Sequence, residues 1–302
     1  MNNSLTPKLS VAVPLACLYM TPSIALAHEA WKVKSSVTVT TSHFADSLIM
    51  NNQRGIGLRL SGEKNEHWGF TAGLQSTRIG MTSIAPVSTQ NQNNWLLSGF
   101  AFAQPSTLSG RWTFQIDTHK VSNDAKQTNT SDVHVTAPQI AWASYSLPLK
   151  VDFSYADSHY ANTTTIRQTS ASIAYGFHEA KEWLQVRSYA VNNLEPSNAF
   201  GKSSTHAFDI KLTHFLSSDF RWIPASLMLG LERGKKIYVV DMDSQTVHNM
   251  PMLNEGGENI SATWKLSSKS NLNMQLSTTR YYAEPPHHFT LNTISAQIST
   301  IW

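Results

Sequence analysis

From Trp31 onward, apolar and polar residues alternate along the chain with a period of two, segment after segment. In one early segment Ile56, Leu58 and Leu60 alternate with the polar residues Arg59 and Ser61. This alternation is typical of β-strands, because successive side chains of a strand point to opposite faces. The spacing of an amphipathic helix is almost absent, so the sequence predicts an all-β chain.

We count about fourteen such segments, with twelve or sixteen as alternatives, and many are about 9 to 13 residues long. Ordinary strands have about five or six residues, whereas a tilted strand needs about 9 to 11 to cross a bilayer. In the sixth segment the apolar row is predicted to be Val133, Val135 and Ala137. The alternation is weakest over residues 164–177, where Arg167 shares a face with Ile173, so either Arg167 lies near a rim or the alternation slips by one residue.

Short and long connections alternate between these segments. Short turns are predicted near residues 61–66, 105–110, 146–150, 178–181, 216–224 and 267–270. Longer polar connections are predicted at residues 43–53, 82–94, 122–132, 157–163, 192–204, 241–257 and 283–288. Short turns at one end and long loops at the other are the layout of a transmembrane antiparallel up-and-down β-barrel with an even number of strands and both termini at the short-turn end. The glycines at 256 and 257 fall in a predicted loop.

The first 27 residues have the features of a cleaved export signal. Lys8 precedes an apolar stretch over residues 9–20, and Ala25-Leu26-Ala27 forms an A-x-A cleavage site. We therefore predict a signal peptide at 1–27 and a single barrel domain at 28–302. A lipobox ending at Cys17 is the alternative, which Pro14 disfavours. Cleavage after Ala27 leaves no cysteine, which suits an oxidising compartment.

The tryptophans cluster beside the short turns and the chain ends. Those predicted to form a membrane-interface girdle are Trp31, Trp68, Trp112, Trp264 and Trp302, and Trp142, Trp183 and Trp222 lie at similar positions. Amphipathic indole rings concentrate at the boundary between membrane and water. Charged residues make up only 14% of the chain, and 23 Lys and Arg against 20 Asp and Glu, scattered along the sequence, give no indication of nucleic-acid binding.

The last segment alternates through Ile294, Ala296 and Ile298 and ends on the aromatic Trp302. In this feature the chain resembles Gram-negative outer-membrane β-barrel proteins, and in size and strand number it is most similar to monomeric fourteen-stranded porins. The resemblance implies an outer-membrane location in contact with lipid and lipopolysaccharide. It also implies recognition of the C-terminal strand by the barrel-assembly machinery.

A fourteen-stranded barrel is wide enough for an aqueous bore, which the polar faces of the strands would line. The charged residues predicted to face it are Lys32, Lys34, Arg59, Glu63, Arg111, Asp117, Asp152, Arg187, Asp209, Lys211, Glu232 and Lys265. We therefore expect a channel for passive diffusion of small hydrophilic solutes, without a cofactor. Alternatively, these charges pair with one another and only stabilise the barrel. The sequence leaves open whether the loop at 241–257 folds inward.

Other functions have weaker support in the sequence. A barrel enzyme acting on lipid or lipopolysaccharide would need a serine and a histidine together on the outer wall, and the nearest candidates are Ser158-His159, with Asp157 or Asn162, and Ser42-His43. Metal ligation would draw on His287-His288 or on Asp241, Asp243 and His248, but their spacing fits no closed site. A structural or assembly barrel is the third alternative, and no periplasmic repeat domain supports it.

Overall fold

The computed structural model describes residues 31–302 except 66, 86, 106–108, 125–129, 162, 199, 217–221 and 284–285. The predicted signal peptide with Cys17, and Asn162, lie outside the described residues. The strands are β1 (Trp31–Ala45), β2 (Met50–Lys64), β3 (Trp68–Met81), β4 (Thr89–Ala103), β5 (Gly110–Asn123), β6 (Val133–Ser144), β7 (Leu149–Tyr160), β8 (Thr165–Phe177), β9 (Glu182–Asn193), β10 (Ser204–Phe215), β11 (Ser226–Lys236), β12 (Val240–Asp241), β13 (Thr246–Val247), β14 (Leu253–Lys265), β15 (Ser270–Ala283) and β16 (His287–Ile301).

Fourteen of these strands form one closed antiparallel barrel, in which each strand pairs with its neighbours in the chain and β1 pairs with β16. Val37 lies opposite Ile298 across the closing pair. The remaining two strands, β12 and β13, form a separate hairpin between β11 and β14. The predicted all-β up-and-down barrel of about fourteen strands is confirmed. Among the described residues, no helix has the length and apolar character needed to cross a membrane.

The apolar rows of the strands cover the outer surface of the barrel. Val39, Ile56 and Leu276 have 47%, 52% and 53% of their surface exposed, although each lies in the middle of a strand. A wall with its apolar side chains outward is unfavourable in water and stable in lipid, where closure also pairs every strand edge.

The strands are longer than the sequence predicts. β1 continues to Ala45 and β2 begins at Met50 within the predicted loop 43–53, β7 continues to Tyr160 within the predicted loop 157–163, and β16 begins at His287 within the predicted loop 283–288. The difference arises because the strands continue in register beyond the apolar belt with polar side chains, which the alternation of apolar residues does not reveal.

The side chains of β6 face differently from the prediction, whereas those of β8 follow the regular alternation. In β6, Val133, Val135 and Ala137 are at most 1% exposed and point into the barrel, so the prediction that they form the outer apolar row was wrong. They pack against residues of the segment 237–240, which supplies an apolar surface inside the barrel. In β8 the alternation does not slip, and Arg167 lies outward near the loop end with its side chain 52% exposed.

The interior at the loop end of the barrel is largely apolar. One buried cluster joins β5 to β10 with the segment between β11 and β14, and it includes Val121, Tyr189 and Tyr238. A second cluster, around Phe44, Phe289 and Leu291, lies against Met250 and Met252. The interior is therefore narrowed at the loop end, because the chain between β11 and β14 occupies part of that space.

Candidate functional site: a hairpin inside the barrel

The chain leaves the barrel wall at a pair of bulges on neighbouring strands. The pairing of β11 with β14 shifts between Arg233 and Lys236, and the pairing of β14 with β15 shifts between Asn254 and Gly257. Gly234 and Gly256 adopt positive φ angles of 102° and 107° at these points, and a Cβ atom there would lie 2.4 Å and 2.6 Å from backbone oxygens of the adjacent strand. Only glycine fits both the backbone conformation and the contact, so these residues let residues 237–252 turn into the lumen. The loop position predicted for Gly256 and Gly257 was wrong, because both belong to β14.

The inward segment ends in a tight hairpin, which we call the lumen hairpin (residues 240–247). Its two strands pair Val240 with Val247 and Asp241 with Thr246. The Asp241 carboxylate accepts hydrogen bonds from the backbone N–H groups of Asp243, at 2.9 Å, and Ser244, at 3.4 Å. An aspartate that bonds the backbone two residues later fixes the turn.

A glutamine of the wall anchors the first strand of the lumen hairpin. The Gln168 side chain on β8 donates to the Val240 carbonyl at 2.7 Å and accepts from the Val240 N–H at 3.0 Å. The amide of Gln168 thus imitates the backbone of a neighbouring strand. Both residues are buried, so these two bonds satisfy groups that water does not reach.

Asp243, in the hairpin turn, meets two basic residues of the wall. Its carboxylate accepts hydrogen bonds from Arg187 on β9 at 2.7 Å and from Lys211 on β10 at 2.5 Å. Gln185 adds a weaker bond at 3.1 Å. Arg187 also donates to Asp152 on β7 through two bonds of 2.8 and 3.1 Å, so its buried charge is shared between two carboxylates.

The next residue in the hairpin bonds to the opposite wall. Arg59 on β2 donates to the Ser244 carbonyl at 2.8 Å, and β2 and β9 lie seven strands apart around the closed ring of fourteen. Gln245 donates to Asp117 on β5 at 3.1 Å. Asp243 and Ser244 together therefore reach diametrically opposed sides of the barrel, and the lumen hairpin crosses the bore at this level.

The charges around the hairpin favour the ionised forms of its two aspartates. Burial alone would raise the pKa of Asp241, but Lys211, His248 and Lys236 outweigh it and lower that pKa to about 2. Burial also opposes ionisation of Asp243, and Lys211 and Arg187 lower its pKa below the ordinary value. The pKa of His248 is lowered, first by burial and then by the charge of Lys236. At neutral pH the lumen hairpin therefore carries negative charge and is surrounded by basic side chains.

All twelve charged residues predicted to face the interior lie on the inward rows of their strands. Those nearest the lumen hairpin bind it directly or through one partner, namely Arg59, Asp117, Asp152, Arg187 and Lys211. Asp209 and Glu232 form ion pairs with Lys236 at 3.6 and 2.8 Å. The residues nearer the short-turn end are Lys32, Lys34, Glu63, Arg111 and Lys265, of which Arg111 lies over the Phe102 ring at 4.6 Å.

The sequence-based predictions do not cover the three amide side chains that complete this site, two on the wall and one in the lumen hairpin. Gln168, Gln185 and Gln245 are uncharged, so the pattern of charges does not select them, and Asp243 enters only as a candidate metal ligand. One signal was present: residues 237–240 are four consecutive apolar residues beside a predicted polar loop. Such a run is unfavourable in an exposed loop and indicates a segment that packs inside.

In each serine–histidine pair predicted as a catalytic candidate, the two side chains lie on opposite faces of the barrel wall. Ser158 and Ser42 are 1% and 6% exposed and point inward, whereas the adjacent His159 and His43 point outward. Both pairs lie within strands rather than in the predicted loops, and neighbouring residues of a strand face opposite sides. Asp157 bonds His159 at 3.1 Å on the outer face. Within the described ranges, no three His, Cys, Asp or Glu side chains converge as metal ligands.

The predicted girdle tryptophans lie together at the short-turn end. Trp31 and Trp68 contact each other edge to face with ring centroids 5.0 Å apart. Trp112 lies opposite Trp142 on the adjacent strand. Trp264 donates to the Trp222 carbonyl at 3.3 Å, and Trp302 donates through its indole N–H to the Ser35 hydroxyl at 3.0 Å.

No family model matches this chain, and no curated protein is similar to it in sequence. Solved structures are nevertheless similar in fold. A bacterial polysaccharide outer membrane secretin aligns with a TM-score of 0.56 at 9% identity, covering 89% of this chain and 98% of that one. The CymD monoaromatic hydrocarbon channel gives 0.57 at 8% identity, with coverages of 91% and 89%. The toluene transporter TodX of Pseudomonas putida gives 0.55 at 10% identity, with coverages of 91% and 90%.

Proposed function

We propose that the chain, which has the fold of porin-like outer-membrane barrels, is an outer-membrane channel for passive diffusion of small hydrophilic solutes. In this proposal the lumen hairpin sets the width of the path. The observation that carries the proposal is the closed fourteen-strand wall around rows of charged and amide side chains, with a segment of the chain folded among them.

The width of the barrel supports transport. About eight strands enclose an interior that side chains fill, whereas larger barrels hold a ligand cavity or a channel. Fixed charges of both signs face each other here, with Arg59, Arg187 and Lys211 around the anionic turn of the hairpin. Such a ring selects small polar solutes by size and charge.

The polar lining of this interior, and not the solutes of similar structures, supports a small hydrophilic solute. CymD is described as a monoaromatic hydrocarbon channel, TodX as a toluene transporter and the secretin as a polysaccharide outer membrane secretin. The shared fold therefore serves different solutes. At the constriction of this chain the groups on both sides are charged or amide side chains, including Gln185 and Gln245. A polar solute can exchange hydrogen bonds with these groups, whereas a hydrocarbon cannot.

Single-channel recording in planar bilayers tests the proposal. The wild type should give small stepwise currents, and a variant with residues 242–245 replaced by two glycines should give steps at least about twofold larger, because the crossing turn is gone. A variant with the exposed turn residue Glu179 changed to glutamine is the matched control and should conduct like the wild type.

Uptake into liposomes separates the solute classes. Swelling with arabinose and glucose, increasing in the shortened variant, agrees with the proposal. Wild-type and shortened barrels that are both insulating would contradict it, and so would selective uptake of toluene over sugars. Hydrolysis of phospholipid or lipopolysaccharide by an insulating barrel would favour the enzyme alternative.

A further inference from the structure

Two arginines face each other on the outer wall of the barrel near its loop end. Arg54 on β2 lies directly opposite Arg78 on β3, and both side chains are exposed. They lie on the same outward rows as Ile56 and Leu74, which are 52% and 36% exposed in the apolar belt. Directly opposed side chains of an antiparallel pair have Cβ atoms about 5 Å apart, so these two positive charges are close neighbours.

Within the described part of the chain, neither arginine of this pair has an ion-pair partner. Among the residues that the structure describes, no carboxylate lies within 4.0 Å of either guanidinium. Their neighbours on the flanking strands are Thr41 and Asn91, which are uncharged. Asp124, which follows β5, is bonded at 2.8 Å to the Asn91 amide.

Arg54 and Arg78 lie directly opposite each other, whereas the outward Arg280 lies opposite the uncharged Thr290 and two further outward arginines have carboxylate partners. Arg167 lies 3.8 Å from Asp157, and Arg233 lies 3.2 Å from Glu258. Like charges directly opposite each other destabilise a sheet. The absence of a carboxylate at Arg54 and Arg78 therefore leaves an unfavourable arrangement that an external anion would relieve.

The position of the pair identifies the anion. Trp68 marks the short-turn edge of the apolar belt on β3, and Arg78 is ten residues further along the same strand. At about 3.4 Å per residue and a tilt of about 40°, this corresponds to about 26 Å along the barrel axis, close to the about 25 Å height of the apolar band. Arg78 and Arg54 thus lie at the opposite membrane boundary, on the side of the loops, which is the outer leaflet in the proposed location.

We propose that Arg54 and Arg78 bind a phosphate group of lipopolysaccharide in the outer leaflet. Guanidinium groups bind phosphate through pairs of parallel hydrogen bonds, and two of them side by side match the charge of a phosphate monoester. The acyl chains of the same lipid would lie along the apolar rows of Ile56, Leu58 and Leu74 below the pair. This inference rests on the outer-membrane location and is independent of whether the barrel conducts.

Binding of lipid A to the purified barrel in detergent tests this site by native mass spectrometry. Wild type should bind bisphosphorylated lipid A at least about tenfold more tightly than Arg54→Gln/Arg78→Gln, since each charged bond lost is worth about this factor. Arg167→Gln is the matched control, because it removes an outward arginine that already has a partner, and it should bind like the wild type. Dephosphorylated lipid A should bind wild type and double variant equally.

A charge reversal keeps the test decisive if the double variant folds poorly. Arg78→Glu replaces repulsion with an Arg54–glutamate pair, so it should raise the thermal unfolding temperature in detergent and abolish the preference for phosphorylated lipid A. Equal affinity of wild type and either variant for bisphosphorylated lipid A would overturn the proposal. Full competition by inorganic phosphate would also overturn it, because the site would then be a simple anion site rather than a lipid site.

Discussion

The Asp243 carboxylate accepts a hydrogen bond of 2.7 Å from Arg187, which joins the turn of the lumen hairpin to the wall of the barrel at β9. The same guanidinium is bonded to Asp152 of β7. The wall arginine therefore links barrel stability, through Asp152, with the position of the hairpin, through Asp243. The two roles can be separated by substitution.

Replacing Asp243 with asparagine should loosen the hairpin and leave the wall intact. The change removes the charge from the bonds with Arg187 and Lys211, and hydrogen bonds to charged groups contribute about 1.5 to 3 kcal/mol. The population with the hairpin displaced should increase by at least about tenfold. Single-channel recordings should show more frequent steps to a larger conductance, and Glu179→Gln should leave the record unchanged. Identical records for wild type and Asp243→Asn would show that these bonds do not hold the hairpin.

Acid should release the hairpin. In the docked state the pKa of Asp241 is lowered to about 2, and that of Asp243 is lowered below its ordinary value. The ion pairs therefore contribute fully above the ordinary carboxyl pKa and are lost as the pH falls through the lowered values. Conductance should be constant from pH 7 to about 5 and increase below about pH 4. Asp243→Asn should show a smaller increase over the same range. A wild-type conductance that falls steadily with acid would contradict this assignment.

Replacing Arg187 with leucine should destabilise the barrel itself. Arg187 and Asp152 each have only 1% of the side chain exposed, and removal of one partner leaves a buried charge at a cost of about 3 to 5 kcal/mol. Urea unfolding in lipid vesicles, followed by tryptophan fluorescence, should show this loss. The double variant Arg187→Leu/Asp152→Leu should recover most of the free energy of unfolding. No recovery in the double variant would mean that the arginine stabilises the barrel through its other contacts.

Replacing Gln168 with leucine tests the anchor of the first hairpin strand. The Val240 N–H and carbonyl would lose their partners while staying buried, at a cost of about 1 to 3 kcal/mol for each group. Hydrogen exchange of the Val240 amide should become at least about tenfold faster. The exposed Gln104, just beyond the end of β4, changed to leucine, provides a comparison that should leave this amide protected. Unchanged protection in Gln168→Leu would show that the surrounding apolar cluster alone holds the segment.

Local patterns in the sequence were sufficient to predict the class of fold and the facing of most strands. Alternation such as that of Ile56, Leu58 and Leu60 with Arg59 follows from the geometry of a strand, and strand length together with the tryptophans at the short turns indicated a membrane barrel. These are local properties, since each residue of a strand in a closed barrel meets either lipid or the interior. Candidates such as Arg59, Arg187 and Lys211 could be placed on the inward rows for the same reason.

The content of the barrel interior could not be predicted from the sequence, because it depends on contacts between segments that are far apart in the chain. The lumen hairpin binds residues far apart in the chain, with Asp243 at Arg187 and Ser244 at Arg59, and no alternation within a strand encodes such contacts. The inward facing of Val133 and Val135 was mispredicted for this reason, because their environment is the segment 237–240 rather than water. A periodic pattern reports which residues share a face. What that face contacts depends on where a loop more than a hundred residues away folds back, and that is decided by packing and charge in three dimensions.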